Sequence, residues 1–459
     1  MEKYFRNFLI IMFVGILFSG VGKTDAKAEE LSIPTINVVT ETGEDPTCDF
    51  VTPPSGYAGI GIINNDYVVC DVEYIDSKNE KIVDETAKIK VRGNTSATYP
   101  KKPFMIKFDK KKGFDFCTDK GTKKWVLLTL GDNLAFYISN TVAKLCGVEW
   151  QPQFQYVNLT MNGDYRGTYV MVEAADTMVK NLDIDDTGFM IECDPYAWHE
   201  NIKFMTNYIG GALAYTFKHP EDEMLTDEVI TNTQKYMIGI TNTIINSSED
   251  YMDAIDANSF ASWFLAKDYQ LSIDLWGSNI YYYRKNSESK LQMGPTWDFD
   301  NDYKDEDNVW SAVHRSKGLV YSEYLFNRDS FKKIYRNEYE KNRSIYEKIK
   351  ESAENYIDSY GTSLQESWNK NADRWGTSAL NVKTELESLI EKYRKRNEWI
   401  DEQTKNWSLD FSGYYEAVEE ASSYNPDDYE NGNILQELLD IDVYDISVTQ
   451  EELDKITEN

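Results

Sequence analysis

Three carboxylates and an amide fall close together within residues 258–303: Asp274, Asn279, Asp298 and Asp300. An apolar helical stretch leads into a short loop holding Asp274 and, five residues on, Asn279. A tyrosine-rich strand, a turn and a second strand then lead to Trp297-Asp298-Phe299-Asp300. Acids and an amide presented by loops at neighbouring strand ends suit a divalent cation held against a polyphosphate. Upstream, residues 87–109 read as two strands flanking Arg92-Gly93-Asn94-Thr95-Ser96, closed by Tyr99-Pro100-Lys101-Lys102. Backbone amides, small hydroxyls and cations grouped in this way can cradle phosphate oxygens. Lys107 interrupts an otherwise apolar strand, where a lysine either snorkels to the surface or points at an anion. Each group also has a plainer reading. Asp298 and Asp300 could hold a stabilising calcium ion, Asp274 and Asn279 could cap turns, and the 92–96 loop could be a polar hairpin turn.

The elements that must position these residues follow from periodicity. Residues 31–91 alternate apolar and polar with period two, broken by Gly, Pro and Asn-Asp clusters, which predicts a small antiparallel sheet or sandwich without chemistry of its own. Lys124-Trp125-Val126-Leu127-Leu128 is a further strand. Asp132 or Asn133 can cap a helix over 133–145 that ends at Gly147. Asn162-Gly163 marks a hairpin whose second strand ends at Glu173. Sheet segments follow from Gly188 and over 208–217, then an amphipathic helix over 226–246. Residues 324–407 are mostly helical, with apolar residues three and four apart. From Asp410 on, fifteen acidic residues stand against one lysine, which reads as a flexible acidic tail with a short helix at 434–439.

A net charge of −30 argues against nucleic-acid binding, which needs a basic stripe, and fits partners that are basic. Lys3 and Arg6, the apolar run 8–18 and Ala26-Lys27-Ala28 read as a secretory signal over residues 1–28. No second apolar run reaches spanning length, so an exported protein without a stable membrane span is expected. The five cysteines, Cys48, Cys70, Cys117, Cys146 and Cys193, include no CxxC pair. They are read either as buried thiols or as holding one disulfide such as Cys48–Cys70.

Phosphoryl transfer needs a metal bridging phosphate oxygens, cations on the phosphates and a carboxylate that orients the attacking hydroxyl. Protein kinases place these parts in the order found here: phosphate loop, lysine strand, helix, hairpin, base-and-metal loop, metal Asp. Asp274 and Asn279 have the D-x₄-N spacing of the kinase catalytic loop, and Asp298-Phe299 matches the start of DFG, with Asp300 in place of Gly. No His-Arg precedes Asp274 and no G-x-G-x-x-G loop is present, so a conventional protein kinase is excluded. The chain resembles the CotH kinase family, named for the spore coat protein H of bacteria. The resemblance rests on Arg92-Gly93-Asn94 with Ser96, Pro100-Lys101-Lys102-Pro103-Phe104 leading into Lys107, and Trp125 before the helix. It continues in Asn162-Gly163-Asp164-Tyr165-Arg166-Gly167 with Glu173, and in Asp274 and Asn279 with Trp297-Asp298-Phe299-Asp300.

The resemblance implies an α+β, atypical protein-kinase-like fold, with ATP and Mg²⁺ or Mn²⁺ as cofactors. It implies transfer of the γ-phosphate to Ser or Thr of exported or coat proteins. Asp274 would orient the acceptor hydroxyl, and Asn279, Asp298 and Asp300 would hold metal. Arg92, Asn94 and Ser96, with Lys102 or Lys107, would meet phosphates, and Glu173 would lie on the adenine side. The helix over 133–145 has no Glu, so the usual lysine–glutamate pair is absent or supplied from elsewhere. The expected organisation is a β unit over 29–86, a catalytic core over 87–320 with its first lobe to about 175, a helical extension over 321–409 and the tail over 410–459. Two rival functions are a non-catalytic module that binds nucleotide or metal, and a polysaccharide-acting enzyme whose cleft is lined by the abundant tryptophan and tyrosine.

Overall fold

Alternating burial defines several strands of the first half. In β5 (Lys81–Val91) the side chains of Val83, Ala87, Ile89 and Val91 are buried while Lys88 is exposed, so one face is core and the other outward. The same alternation runs through β1 (Thr35–Thr40), β4 (Val68–Ile75) and the first half of β6 (Phe104–Lys112), whereas β7 (Thr122–Leu128), β8 (Phe154–Met161) and β9 (Asp164–Glu173) each carry a run of consecutive buried residues. These seven strands close a barrel in the order β1-β4-β5-β6-β7-β9-β8. All neighbours are antiparallel except β1 and β8, which close it in parallel. Ile36, Val72, Tyr74, Ile89, Ile106, Trp125, Leu159 and Met171 fill its interior. The computed structural model describes residues 30–53, 60–119, 121–174, 178–194, 196–200, 202–208, 211–246, 250–272, 275, 279–299, 302 and 320–406. Asp274, Asp300, the signal segment and the acidic tail lie outside the described residues.

The β unit expected over 29–86 is not a sheet of its own. β5 crosses residue 86 without a break, pairing with β4 along Lys81–Ile89 and with β6 along Lys88–Val91. Within that stretch, β2 (Asp49–Val51) and β3 (Gly61–Ile63) pair with each other apart from the barrel. The hairpin at Asn162-Gly163 forms as expected, both residues taking positive φ (52° and 81°) as a type I′ turn demands.

Helix α1 (Ala135–Leu145) follows β7, its first turn held by Asn133 Oδ1 accepting from the Ala135 amide at 3.0 Å. A second sheet, all antiparallel, has the order β11-β12-β10-β13-β14. Its strands are β10 (Phe189–Cys193), β11 (Lys203–Tyr208), β12 (Gly211–His219), β13 (Ile280–Arg284) and β14 (Gln292–Met293). Around it run α2 (Asp227–Asn246), α3 (Ala257–Gln270), α4 (Asp329–Lys341), α5 (Ile345–Trp375) and α6 (Val382–Asn406). Helix α3, capped by Asp256, buries side chains on every face, Lys267 and Asp268 included. Asp268 is compensated: Tyr335 of α4 donates to it at 2.8 Å and the Arg396 guanidinium of α6 lies 3.8 Å away.

Helix α5 docks on the barrel along β9. Trp368 Nε1 donates to the Gly131 carbonyl at 2.7 Å, and Asn371 Oδ1 accepts from the Thr168 amide at 3.1 Å. All five cysteines are free thiols, with Cys70, Cys146 and Cys193 buried. Among the described residues, no helix is long and apolar enough to cross a membrane.

Candidate functional site

A cleft of about 1050 Å³ is lined on one side by barrel strands and on the other by the second sheet. That volume is in the range of cofactor sites. The barrel wall begins with β5. Because Lys88 and Lys90 alternate with the buried Ala87, Ile89 and Val91, Lys90 faces outward and, at the rim, into the cleft with Arg92. The chain then turns through Gly93 (φ +80°). A Cβ there would sit 2.4 Å from Ser96 Oγ, so only glycine lets the loop fold this tightly. Asn94 and Ser96 line the cleft beside it. Lys102 stands behind the loop, donating to the Ala97 carbonyl at 2.6 Å, and is not part of the lining.

The strand that holds Lys107 forms, and of the two readings of that lysine it shows the surface one. Lys107 is exposed on the barrel's outer face, in one register row with Lys88 and Lys124, and does not line the cleft. Lys90 lies one row nearer the rim, opposite Met105. Burial pulls its pKa down, and the neighbouring charges of Lys124 and Arg92 add to this against Glu200. Neither Lys90 nor Arg92 has a carboxylate within 4 Å among the described residues, so the barrel wall presents half-buried cations without a direct ion-pair partner there. Further along this wall, Met105, Val126, Leu128 and Ala174 give an apolar surface. Glu173, next to Ala174, is buried with its carboxylate accepting from the Gln153 amide at 2.9 Å, and lies outside the lining. Burial raises its pKa.

The opposite wall is acidic. Glu192 and Asp194, two residues apart at the end of β10, share a face with Lys218 of β12 and Tyr281 of β13. Lys218 Nζ lies 2.7 Å from Glu192 Oε2. Burial disfavours the ammonium, but Glu192, followed by Asp194 and Glu200, more than offsets it and holds the pKa above its ordinary value. Asp194 accepts from Thr216 Oγ1 at 3.0 Å and from the Tyr196 amide at 2.8 Å. Burial first, and then Glu192, pushes its pKa up to about 6. The turn after Asp194 brings Tyr196 and His199 to the cleft, and the Tyr196 hydroxyl comes within 3.5 Å of Thr95 Oγ1 on the barrel wall.

Asn279 and Asp298 both line this cleft, and both have positive φ, 72° and 56°. That conformation is sparsely populated away from glycine and concentrates where function demands it. The amide of Asn279 donates to Glu192 Oε1 at 3.4 Å. Behind Asp298, Phe299 is fully buried, and Asp302 accepts from Ser139 of α1 at 2.7 Å. Among the described residues, no three His, Cys, Asp or Glu side chains converge as a metal cage. The donor set of Asp298 and Asn279 fits Mg²⁺ or Mn²⁺, which take one or two carboxylates and complete their shell with phosphate and water. Asp300, expected as a further metal ligand, and Asp274, expected to orient the acceptor hydroxyl, lie outside the described residues.

Of the residues singled out in the sequence, Arg92, Asn94, Ser96, Asn279 and Asp298 come together here. Lys90, Glu192, Asp194 and Lys218 join them unannounced. Strand alternation carried the signal: in Lys88-Ile89-Lys90-Val91-Arg92, choosing Arg92 implies Lys90, and Glu192-Cys193-Asp194 puts two acids on one face.

A family model described as CotH kinase protein matches residues 89–400. No curated protein sequence matches the chain. Among solved structures it is similar to the Helicobacter pylori proinflammatory kinase CtkA at 9% identity, over 79% of this chain and 97% of that one, with a TM-score of 0.27. So slight a likeness transfers no structural detail.

Proposed function

The chain belongs to the CotH kinase family, and on that premise we propose that it binds ATP with Mg²⁺ or Mn²⁺ in this cleft and transfers the γ-phosphate to Ser or Thr of an exported or coat protein. One observation carries the reading. On a chain of net charge −30, Lys90 and Arg92 face the cleft, among the described residues without a carboxylate within 4 Å, opposite Asp298 and Asn279. Half-buried cations without a direct ion-pair partner among the described residues call for an anion, and a carboxylate–amide pair across from them calls for a cation. Metal-bound ATP supplies both.

In this reading the nucleobase lies against Met105, Val126, Leu128 and Ala174, and the phosphates extend along Lys90, Arg92 and the 93–96 loop. Asn279 and Asp298, with Asp300, would hold the metal. When bound, it neutralises charge developing on the phosphate oxygens. Asp274 takes the acceptor hydroxyl's proton as the oxygen attacks phosphorus and the bond to the ADP leaving oxygen breaks. The signal segment routes the protein to export, and the acidic surface favours basic acceptor proteins.

Incubation with labelled ATP and Mn²⁺, followed by mapping of phosphorylated residues, tests this. Wild type should label Ser or Thr, and Asp274→Asn should bind ATP without transfer. Metal-dependent ATP binding with no transfer by wild type would make the protein a non-catalytic nucleotide-binding module. Full transfer by Asp274→Asn would remove that residue from the role of base.

A further inference from the structure

We propose that Lys218, held in place by Glu192, is the cation that meets the outermost phosphate of the bound nucleotide. The inference rests on the functional reading above and extends it to the sheet wall, where the sequence patterns point to no phosphate-contacting residue.

A lysine ammonium carries three donors. Two of those on Lys218 have protein acceptors: Glu192 Oε2 at 2.7 Å and Thr216 Oγ1 at 3.4 Å. Among the described residues no third acceptor meets it, although the side chain lines the cleft. The ion pair spans two strands diagonally, because Glu192 lies opposite Thr216 in the register and Lys218 is two residues further on. Thr216 is itself fixed by its bond to Asp194. The long, flexible lysine stem is therefore pinned at its tip, leaving one donor without a partner among the described residues.

Position along the cleft selects the phosphate. The apolar lining that suits a base belongs to barrel strands β6, β7 and the end of β9. Lys218 is at the other wall. Its partner Glu192 also accepts from the Asn279 amide, so the ammonium and the Asn279 turn share one carboxylate. A triphosphate whose base lies on the apolar surface and whose inner phosphates meet Lys90 and Arg92 turns its outermost phosphate toward the wall that carries Asn279 and Lys218. The lysine–glutamate pair missing from α1 is thus supplied from two strands of the second sheet.

The discriminating experiment compares the imido analogue of ATP with ADP, which lacks the outermost phosphate. Calorimetric titrations with Mg²⁺ would be run on wild type, Lys218→Met and Lys218→Arg. Lys218→Met should weaken the triphosphate about tenfold and ADP less than twofold, the effect of one charge-assisted hydrogen bond. Lys218→Arg should stay within about threefold of wild type for both, since its charge remains. Equal weakening of both nucleotides by Lys218→Met would make the residue a structural clamp and overturn the proposal. Absence of triphosphate binding by wild type would bring down the functional reading itself. A second measurement needs no variant. Amine-reactive labelling of wild type should find Lys218 shielded by the triphosphate and not by ADP, and equal shielding would overturn the assignment even if Lys218→Met does not fold.

Discussion

Phe299 stands edge-on to Phe136 of α1, with ring centroids 5.0 Å apart and planes inclined at 73°. This contact, with the Ser139–Asp302 bond three residues further on, fixes the turn that carries Asp298 to the helix behind the barrel wall. Phe299→Ala removes a fully buried ring and should cost about 3–5 kcal/mol in urea unfolding. Phe299→Leu should cost less than about 1.5 kcal/mol and keep metal-dependent ATP binding. A small loss for the alanine variant would mean that the turn is held by other contacts.

Lys90 and Lys107 share the outer face of the barrel but differ by one register row. Lys90→Met should weaken ATP binding about tenfold, the loss of one charge-assisted contact, whereas Lys107→Met should change it less than twofold. An equal loss from Lys107→Met would move the phosphates off the cleft rim.

Asp194 gives the fold a pH signature. Burial, and then Glu192, raise its pKa from 3.8 to about 6. Between those values the folded protein binds more protons at this site than the unfolded chain, so stability falls as pH rises through the window and levels off above it. Asp194→Asn, which cannot titrate, should lack this fall. The difference between the two proteins should change by on the order of 2 kcal/mol between pH 4 and pH 7 in metal-free urea titrations. Parallel curves would contradict the raised pKa.

How far these residues were legible in the sequence depended on which contacts were local. Alternation located β5, short apolar runs located β6 and β7, and the Asn162-Gly163 turn located the β8–β9 hairpin, because period and turn chemistry act within a few residues. Barrel closure was not legible. It rests on the parallel pairing of β1 with β8, more than a hundred residues away, which no local pattern announces. The same limit explains Lys107. Alternation says which face a lysine is on, but only the neighbouring wall decides which row of that face is covered, and the wall comes from β10, β12 and β13. The placement of the Glu173 carboxylate was not legible for a related reason. It ends its strand at the expected place, yet the Gln153 amide turns its carboxylate away from the cleft lining.

The seam between α5 and the barrel should behave as structure alone. Asn371→Leu strips the Thr168 amide of its acceptor in a buried site and should cost about 1–3 kcal/mol, with ATP affinity unchanged. Gly167→Ala should destabilise through the same pair, since its Cβ would lie 2.3 Å from Asn371 Oδ1 at a φ of +108°. Thermal melting of both variants with and without nucleotide separates stability from binding.

The central claim is that one cleft joins the cations of the barrel wall to the metal-holding residues of the sheet wall around a single nucleotide. Calorimetric titration of ATP into wild type and Asp298→Ala, each with Mg²⁺ and with a chelator, tests it most directly. Wild type should bind ATP only with the metal present, and Asp298→Ala should lose the metal-dependent part. Metal-dependent binding that survives Asp298→Ala unchanged would contradict the account.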